Sequence, residues 1–319
     1  MNPQEVFSEG YFYCFSQHDI IESNLLFSLE WSGVMRAIMG RLALVFVAII
    51  WGNGFPATAL ALNYYNPYQI LALRFTLAFI LLVGVFHQKL REMKLEDVRK
   101  GAKIGLFLFT AFYFQTVGLQ YTTASKNAFL TAVNIVIVPF LSLIILKERV
   151  SKRTFIGAFV TLIGIMFLSF DFSSLDSLLK VNIGDILTLV CAFFFALQIF
   201  YTDYFVKEVD VAVIMIAQMG VATLLSWGMV FLTHSTAMTM TKESIIPIIY
   251  LGIFSTMVAF GIQTWAQKRT TSSEAALILS TESFFGMIAS VFWLGEQLSS
   301  SLVLGAILIF AGIIMVETK

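Results

Sequence analysis

The sequence predicts an all-α integral membrane protein of ten transmembrane helices, arranged as two inverted five-helix repeats. Three observations carry this expectation. Hydrophobic residues make up 58% of the chain and charged residues 13%, and mean hydropathy is +0.85, well outside the range of soluble domains. The apolar residues gather into runs of about 20, the length that crosses a hydrocarbon core of about 30 Å. The chain also contains itself twice: residues 114–165 lie over residues 262–313 at a constant offset of 148 (263 − 115), with no gap.

At that offset Gln115-Thr116 falls on Gln263-Thr264, Thr122-Thr123 on Thr270-Thr271, Ser125 on Ser273, Glu148 on Glu296, Ser151 on Ser299, Gly157 on Gly305 and Gly164 on Gly312. A second pairing, offset by 144 (195 − 51), sets Trp51-Gly52 on Phe195-Ala196 and Arg74 on Gln218. A unit of roughly 140 residues is therefore duplicated, too long for a solenoid repeat and suited to a carrier built from two related halves.

Taken in order, residues 1–38 form a polar tail. They hold Glu5, Glu9, His18, Asp19, Glu22 and Glu30, and their apolar runs are too short to cross a bilayer. They lack the basic start, apolar run and small-residue site of a cleavable signal. Two readings stay open, a cytoplasmic tail or a true start at Met35 or Met39. The first repeat then covers 40–170, with spans near 42–62, 68–87, 103–121, 126–146 and 153–170. The second covers 182–317, with spans near 184–204, 211–233, 245–266, 273–294 and 301–317.

Lys and Arg set the direction, since they accumulate on the cytoplasmic side. With the N-terminus inside, Arg41, the cluster from Lys89 to Lys103, Lys147 to Arg153, Lys207, Lys268, Arg269 and Lys319 are cytoplasmic, and only Lys126, Lys180 and Lys242 face out. Both termini are thus expected in the cytoplasm. Five spans per half turn the second half upside down, and two inverted copies enclose a site near the midplane that rocking opens to either side.

The residues resemble those of the EamA-type branch of the drug/metabolite transporter superfamily. Trp51-Gly52-Asn53, Pro67, Arg74-Phe75, the Thr-Thr-Ala-Ser loop at 122–125, the run from Pro139 to Glu148, Glu282 and Leu294-Gly295-Glu296 carry the likeness, in order, across 40–317. The resemblance implies a ten-helix inner-membrane carrier of small metabolites, often an exporter of amino acids or related compounds. One departure is that Ser283 follows Glu282 where the family usually has Pro, which puts the associated helix kink in question.

Two formally charged residues sit deep in spans, Arg74 and Glu282. At the bilayer centre each costs on the order of 2.5–3.5 kcal/mol on insertion scales, so each needs a partner or a wet cavity. Glu282 lies halfway along span nine on a face with Ala275, Leu279, Gly286 and Ala289. Its counterpart in the first repeat is Asn134, on a stripe with Asn127, Thr131 and Ser142. Spans four and nine are therefore expected to line one cavity. Glu282 reads as a substrate or proton site, since a carboxylate in low dielectric can exchange a proton as the cavity opens; a structural bond to Arg74 or Gln218 is the alternative. Arg74, about a turn and a half from the outer end of its span, reads as a structural residue reaching the interface or pinning the first repeat.

Trp51, Asn53 and Pro56, with Gly52 and Gly54 between them, interrupt span one as a binding segment does in inverted-repeat carriers, or form a Pro-kinked packing helix. Gln115 and Gln263 either line the pathway or bond across helices. Glu148 and Glu296 end spans four and nine, three residues before Ser151 and Ser299, which suit N-caps. Both are read as closing interhelical turns, with gating as the alternative. Gly157 with Gly164, and Gly305 with Gly312, form small-residue faces for helix packing or a homo-oligomer contact. Phe193, Phe194 and Phe195 read as packing or lipid-facing bulk, and Cys191 as a small packing residue.

Enzyme chemistry is not expected. His18, His87 and His234 are scattered, and no metal spacing, phosphate-binding loop or nucleophile set is present in the sequence. No cofactor, metal or nucleic-acid partner is anticipated, and no filter-like loop suggests a channel. The partners are the bilayer and a small molecule: an amino acid or amine for an exporter, or a cation for a proton-coupled multidrug efflux carrier with Glu282 as anion.

Overall fold

The computed structural model describes residues 17–147, 151–169, 182–238, 240–270 and 272–317. Residues 1–39 form one unit and residues 40–319 another. In the first, the described residues are helical from Gln17, the start of α1 (Gln17–Ala61); the rest of the expected tail lies outside the described residues, as does Glu148. The helical bundle belongs to the second unit.

Every regular element among the described residues is helical. After α1 come α2 (Pro67–Val85), α3 (Leu95–Leu119), α4 (Ala124–Ala132), α5 (Asn134–Leu141), α6 (Lys152–Ser169), α7 (Ile183–Phe205), α8 (Val211–Leu232), α9 (Lys242–Ile249), α10 (Ala259–Gln267), α11 (Ser272–Ser280), α12 (Glu282–Leu294) and α13 (Ser300–Glu317). Two π-helical stretches, Ser142–Leu146 and Tyr250–Val258, extend α5 and join α9 to α10.

Eight of these stretches are long and apolar enough to cross a membrane: Ile38–Ala61, Pro67–Val85, Leu95–Leu119, Ala124–Leu146, Ile183–Phe205, Val211–Leu232, Lys242–Gln267 and Leu277–Leu294. The fifth and tenth expected spans fall on α6 and α13, each of 18 residues. Outward faces carry large apolar side chains such as Leu224, Leu232 and Phe292, a surface that lipid covers without cost and water does not.

The helix ends follow local chemistry. Pro67 opens α2 behind an Asn66–Gln69 capping box. Thr123, Asn182 and Asp210 cap α4, α7 and α8 through side-chain oxygens. Ser151 accepts from the Thr154 amide and Ser299 from the Leu302 amide, as the duplicated sequence predicts.

Shifted by the 148-residue offset, α4 coincides end for end with α11, Val133 with Thr281, and α6 with α13. Lys147 and Gly295, also 148 apart, both adopt the left-handed conformation, at φ 58° and 65°. Gly takes that conformation without strain, whereas Lys does so at a cost.

Among the described residues, the two largest clusters of buried apolar side chains lie on different helices. One gathers Leu71, Phe75, Leu108, Phe112, Met219 and Phe260, with the free thiol of Cys191 buried among them. The other joins Leu130 and Ile135 to Leu168, Ile309 and Ile313 across α6 and α13. These last two helices pack backbone to backbone. A Cβ added at Gly164 would lie 2.7 Å from the Ile309 amide nitrogen, and one at Gly305 would lie 2.8 Å from the Gly164 carbonyl oxygen. The small-residue faces thus meet each other within one chain.

Candidate functional site

Halfway along, spans four and nine are each interrupted by one residue. Val133 parts α4 from α5, and Thr281 parts α11 from α12. At both breaks the amide bonds three residues back instead of four, Val133 to Leu130 and Thr281 to Ile278. In the second copy, hydroxyls cover carbonyls around the break: Ser280 donates to Leu277, Thr281 to Ile278 and Ser283 to Ser280. Serine and threonine relieve freed backbone groups in this way inside membranes. The helix is therefore interrupted without a proline at 283, and Asn134 and Glu282 become the first residues of α5 and α12.

Both border one cavity, whose empty space is about 480 Å³ with the part open to the outside included. Of the sequence-expected residues, Glu282, Asn134, Trp51, Gln115, Thr131 and Arg74 line it. Asn53, Gln263, Pro56 and Glu296 do not. Asn53 turns aside, its Nδ2 donating to the Ile49 carbonyl and its Oδ1 accepting from Trp293 Nε1 at 3.4 Å. Gln263 is buried elsewhere, with neither amide atom partnered.

Span one is not unwound at Pro56. The helix runs through it, and Gly52 serves close packing: an added Cβ there would lie 2.6 Å from Phe285 Cβ and 2.8 Å from the Gly286 nitrogen. The neighbouring Trp51 packs its ring against Phe260, centroids 4.9 Å apart, and its Nε1 donates to the Ser255 carbonyl at 2.9 Å.

Arg74 does not reach an interface. It is 1% exposed and lies against Phe112, its Cζ 4.1 Å from the ring centroid. Its Nε donates to Thr256 Oγ1 at 3.0 Å and its Nη2 to Ser255 Oγ at 3.4 Å. The Thr256 hydroxyl spends its single proton on the Leu251 carbonyl five residues back, leaving a lone pair for the guanidinium. The π-helical stretch makes this possible by advancing Ser255 and Thr256 toward α2, a use of π geometry frequent at functional sites.

Glu282 is 7% exposed, and its carboxylate accepts no hydrogen bond and forms no ion pair with any described residue. Arg74 and Glu282 share the cavity wall without pairing with each other. Around them Gln115 Nε2 donates to Thr131 Oγ1 at 3.2 Å. Asn134 Oδ1 and Gln198 Oε1 are buried without a partner among the described residues. Trp51, Phe112, Phe195 and Phe260 supply aromatic walls. Sequence reasoning missed Gln198, Ser255, Thr256 and the role of Phe195; polar residues in otherwise apolar spans were the available signal.

Glu296 reaches across the fold instead of closing its own turn. Its Oε1 accepts from the Ala124 amide at 2.8 Å, and its Oε2 from the Ser125 amide at 3.2 Å and from the Ser125 hydroxyl. It thereby caps α4 from the end of α12.

The EamA-like transporter family profile matches residues 38–170 and 182–318. An uncharacterised transporter of Archaeoglobus fulgidus is 33% identical over 287 residues, covering 90% of this chain and 88% of its own. A Salmonella typhimurium protein described as a probable amino-acid metabolite efflux pump is 26% identical over 288 residues, 86% of this chain and 93% of that one. One crystal structure shares the fold at TM-score 0.63 and 18% identity, over 87% of this chain and 96% of that chain. Matched in both halves, the chain belongs to the EamA-like transporter family.

Proposed function

We propose that the chain exports small metabolites such as amino acids or amines by alternating access at the central cavity. The observation that carries this reading is the buried Glu282 carboxylate, without a partner among the described residues, at the break between α11 and α12 and in the wall of the cavity. A charge left without a partner in a membrane protein marks a substrate or ion path, and interrupted helices hold the binding sites of inverted-repeat carriers. The name of the Salmonella relative points the same way.

In this reading α6 and α13 complete ten spans, five to each repeat, and the second repeat is inverted. The 148-residue correspondence of helix ends supports the duplication. The odd number of spans supports the inversion, and the Lys and Arg distribution puts both termini in the cytoplasm. A reporter fused after Lys319 should read as cytoplasmic, and one in the loop just before Lys242 as external; an external reading at Lys319 would overturn the ten-span count.

Proton-coupled efflux of lipophilic cations is the rival. Glu282 and the aromatic walls favour it, while the guanidinium of Arg74 in the same wall repels a cation. The deciding experiment loads purified protein into proteoliposomes and follows labelled amino acids, amines, sugars and a lipophilic cation, with and without an imposed proton gradient. Movement of amino acids or amines above protein-free vesicles is expected. Movement of the lipophilic cation alone would transfer the assignment to multidrug efflux.

A further inference from the structure

Building on the assignment of the cavity as the transport site, we propose that it recognises a zwitterion: an α-amino acid with an apolar side chain, its carboxylate held by Arg74 and its ammonium by Glu282. Two opposite charges border one cavity, both buried and neither neutralised by a described residue. Buried charges are normally paired, because the solvation they lose must be replaced. A ligand carrying both signs replaces it for both at once, whereas an amine leaves Arg74 unmatched and an acid leaves Glu282 unmatched.

The arrangement of each charge fits its half of such a ligand. Thr256, Ser255 and the Phe112 ring hold the Arg74 guanidinium in a fixed plane, and its Nη1 has no protein partner among the described residues. A planar fork with free donors is suited to a carboxylate. An ammonium group has three protons to place. The same wall carries the Glu282 carboxylate together with Asn134 and Gln198, whose buried Oδ1 and Oε1 no described residue uses. The aromatic rings leave the rest of the cavity for an apolar side chain.

Three probes of one shape separate the charges: L-phenylalanine, phenethylamine, which lacks the carboxylate, and 3-phenylpropionate, which lacks the ammonium. Binding to the purified full chain is read as thermal stabilisation over a concentration series, since a ligand that binds only the folded protein raises its melting temperature. L-phenylalanine is expected to bind at least tenfold more tightly than either analogue. Arg74→Gln should abolish the preference over phenethylamine and keep that over 3-phenylpropionate, with Glu282→Gln doing the reverse. Should Arg74→Gln not fold, the three-probe comparison on the unaltered chain decides alone. Phenethylamine binding as tightly as L-phenylalanine would overturn the zwitterion and leave an amine carrier standing, as would an equal loss of all three probes in Arg74→Gln. Failure of all three to bind would also overturn it, while the proteoliposome panel still judges the carrier itself.

Discussion

Glu282→Gln should reach the membrane and melt close to the parent protein, yet lose at least tenfold in transport. The carboxylate contributes no hydrogen bond or ion pair to the fold among the described residues, so removing its charge breaks nothing that holds α12 in place. Gln has nearly the same size, which preserves the packing of Gly286 on Ala128 and Phe55. A lost charge-assisted bond to a buried ammonium group is worth about 1.5–3 kcal/mol, and each 1.4 kcal/mol is a factor of ten in affinity. Glu282→Ala is a poorer test, because it also removes volume from a packed helix. Unimpaired transport by the Gln variant across a range of pH would make Glu282 a spectator, and the site would then have to be built on Asn134 and Gln198.

Glu282 is legible in the sequence because one carboxylate in a long apolar run has few explanations. Its pairing with Asn134 is legible because the repeat offset carries one onto the other. The break that places both at a helix start is not. Proline is the residue that announces such a break in sequence, and the protein uses Ser280, Thr281 and Ser283 in the second copy and no hydroxyl at Val133 in the first.

Arg74 shows how a one-dimensional rule fails. Distance from the end of its span suggests a side chain reaching for the interface, but α2 packs against α8 and the π-helical stretch, where Thr256 and Ser255 meet the guanidinium. The π geometry is a tertiary effect with no periodicity of its own in so apolar a segment. Gln263 errs the other way: repetition in both halves marks it, yet only its partner Gln115 borders the cavity. The cavity also draws on the repeat, since Trp51 and Phe195, Phe112 and Phe260, and Asn134 and Glu282 all line it, but Gln263, Arg74 and Ser255 show that not every position is used in both halves.

Glu296→Gln should loosen the end of the cavity where α12 meets α4. The Glu296 carboxylate receives the amides of Ala124 and Ser125 and the Ser125 hydroxyl, while Thr123 takes the Lys126 amide with its side chain and the Asn127 amide with its carbonyl. The amides of Ala124, Ser125 and Lys126, which have no acceptor within α4, are thus all satisfied, two of them by Glu296. An opening of the cavity that separated α12 from α4 would break those bonds. Gln can accept with only one of its two terminal atoms, and its amide group then faces a donor. The half-buried site reduces the loss to about 1–2 kcal/mol, a factor of roughly 5–30 in the balance between closed and open. With Thr58→Cys as a reporter in the cavity wall and the native cysteines replaced by Ser, a membrane-impermeant maleimide added from the Ser125 side should react several-fold faster in the Glu296→Gln background. A lower melting temperature with unchanged labelling would show that Glu296 only caps α4, and its gating role would fall.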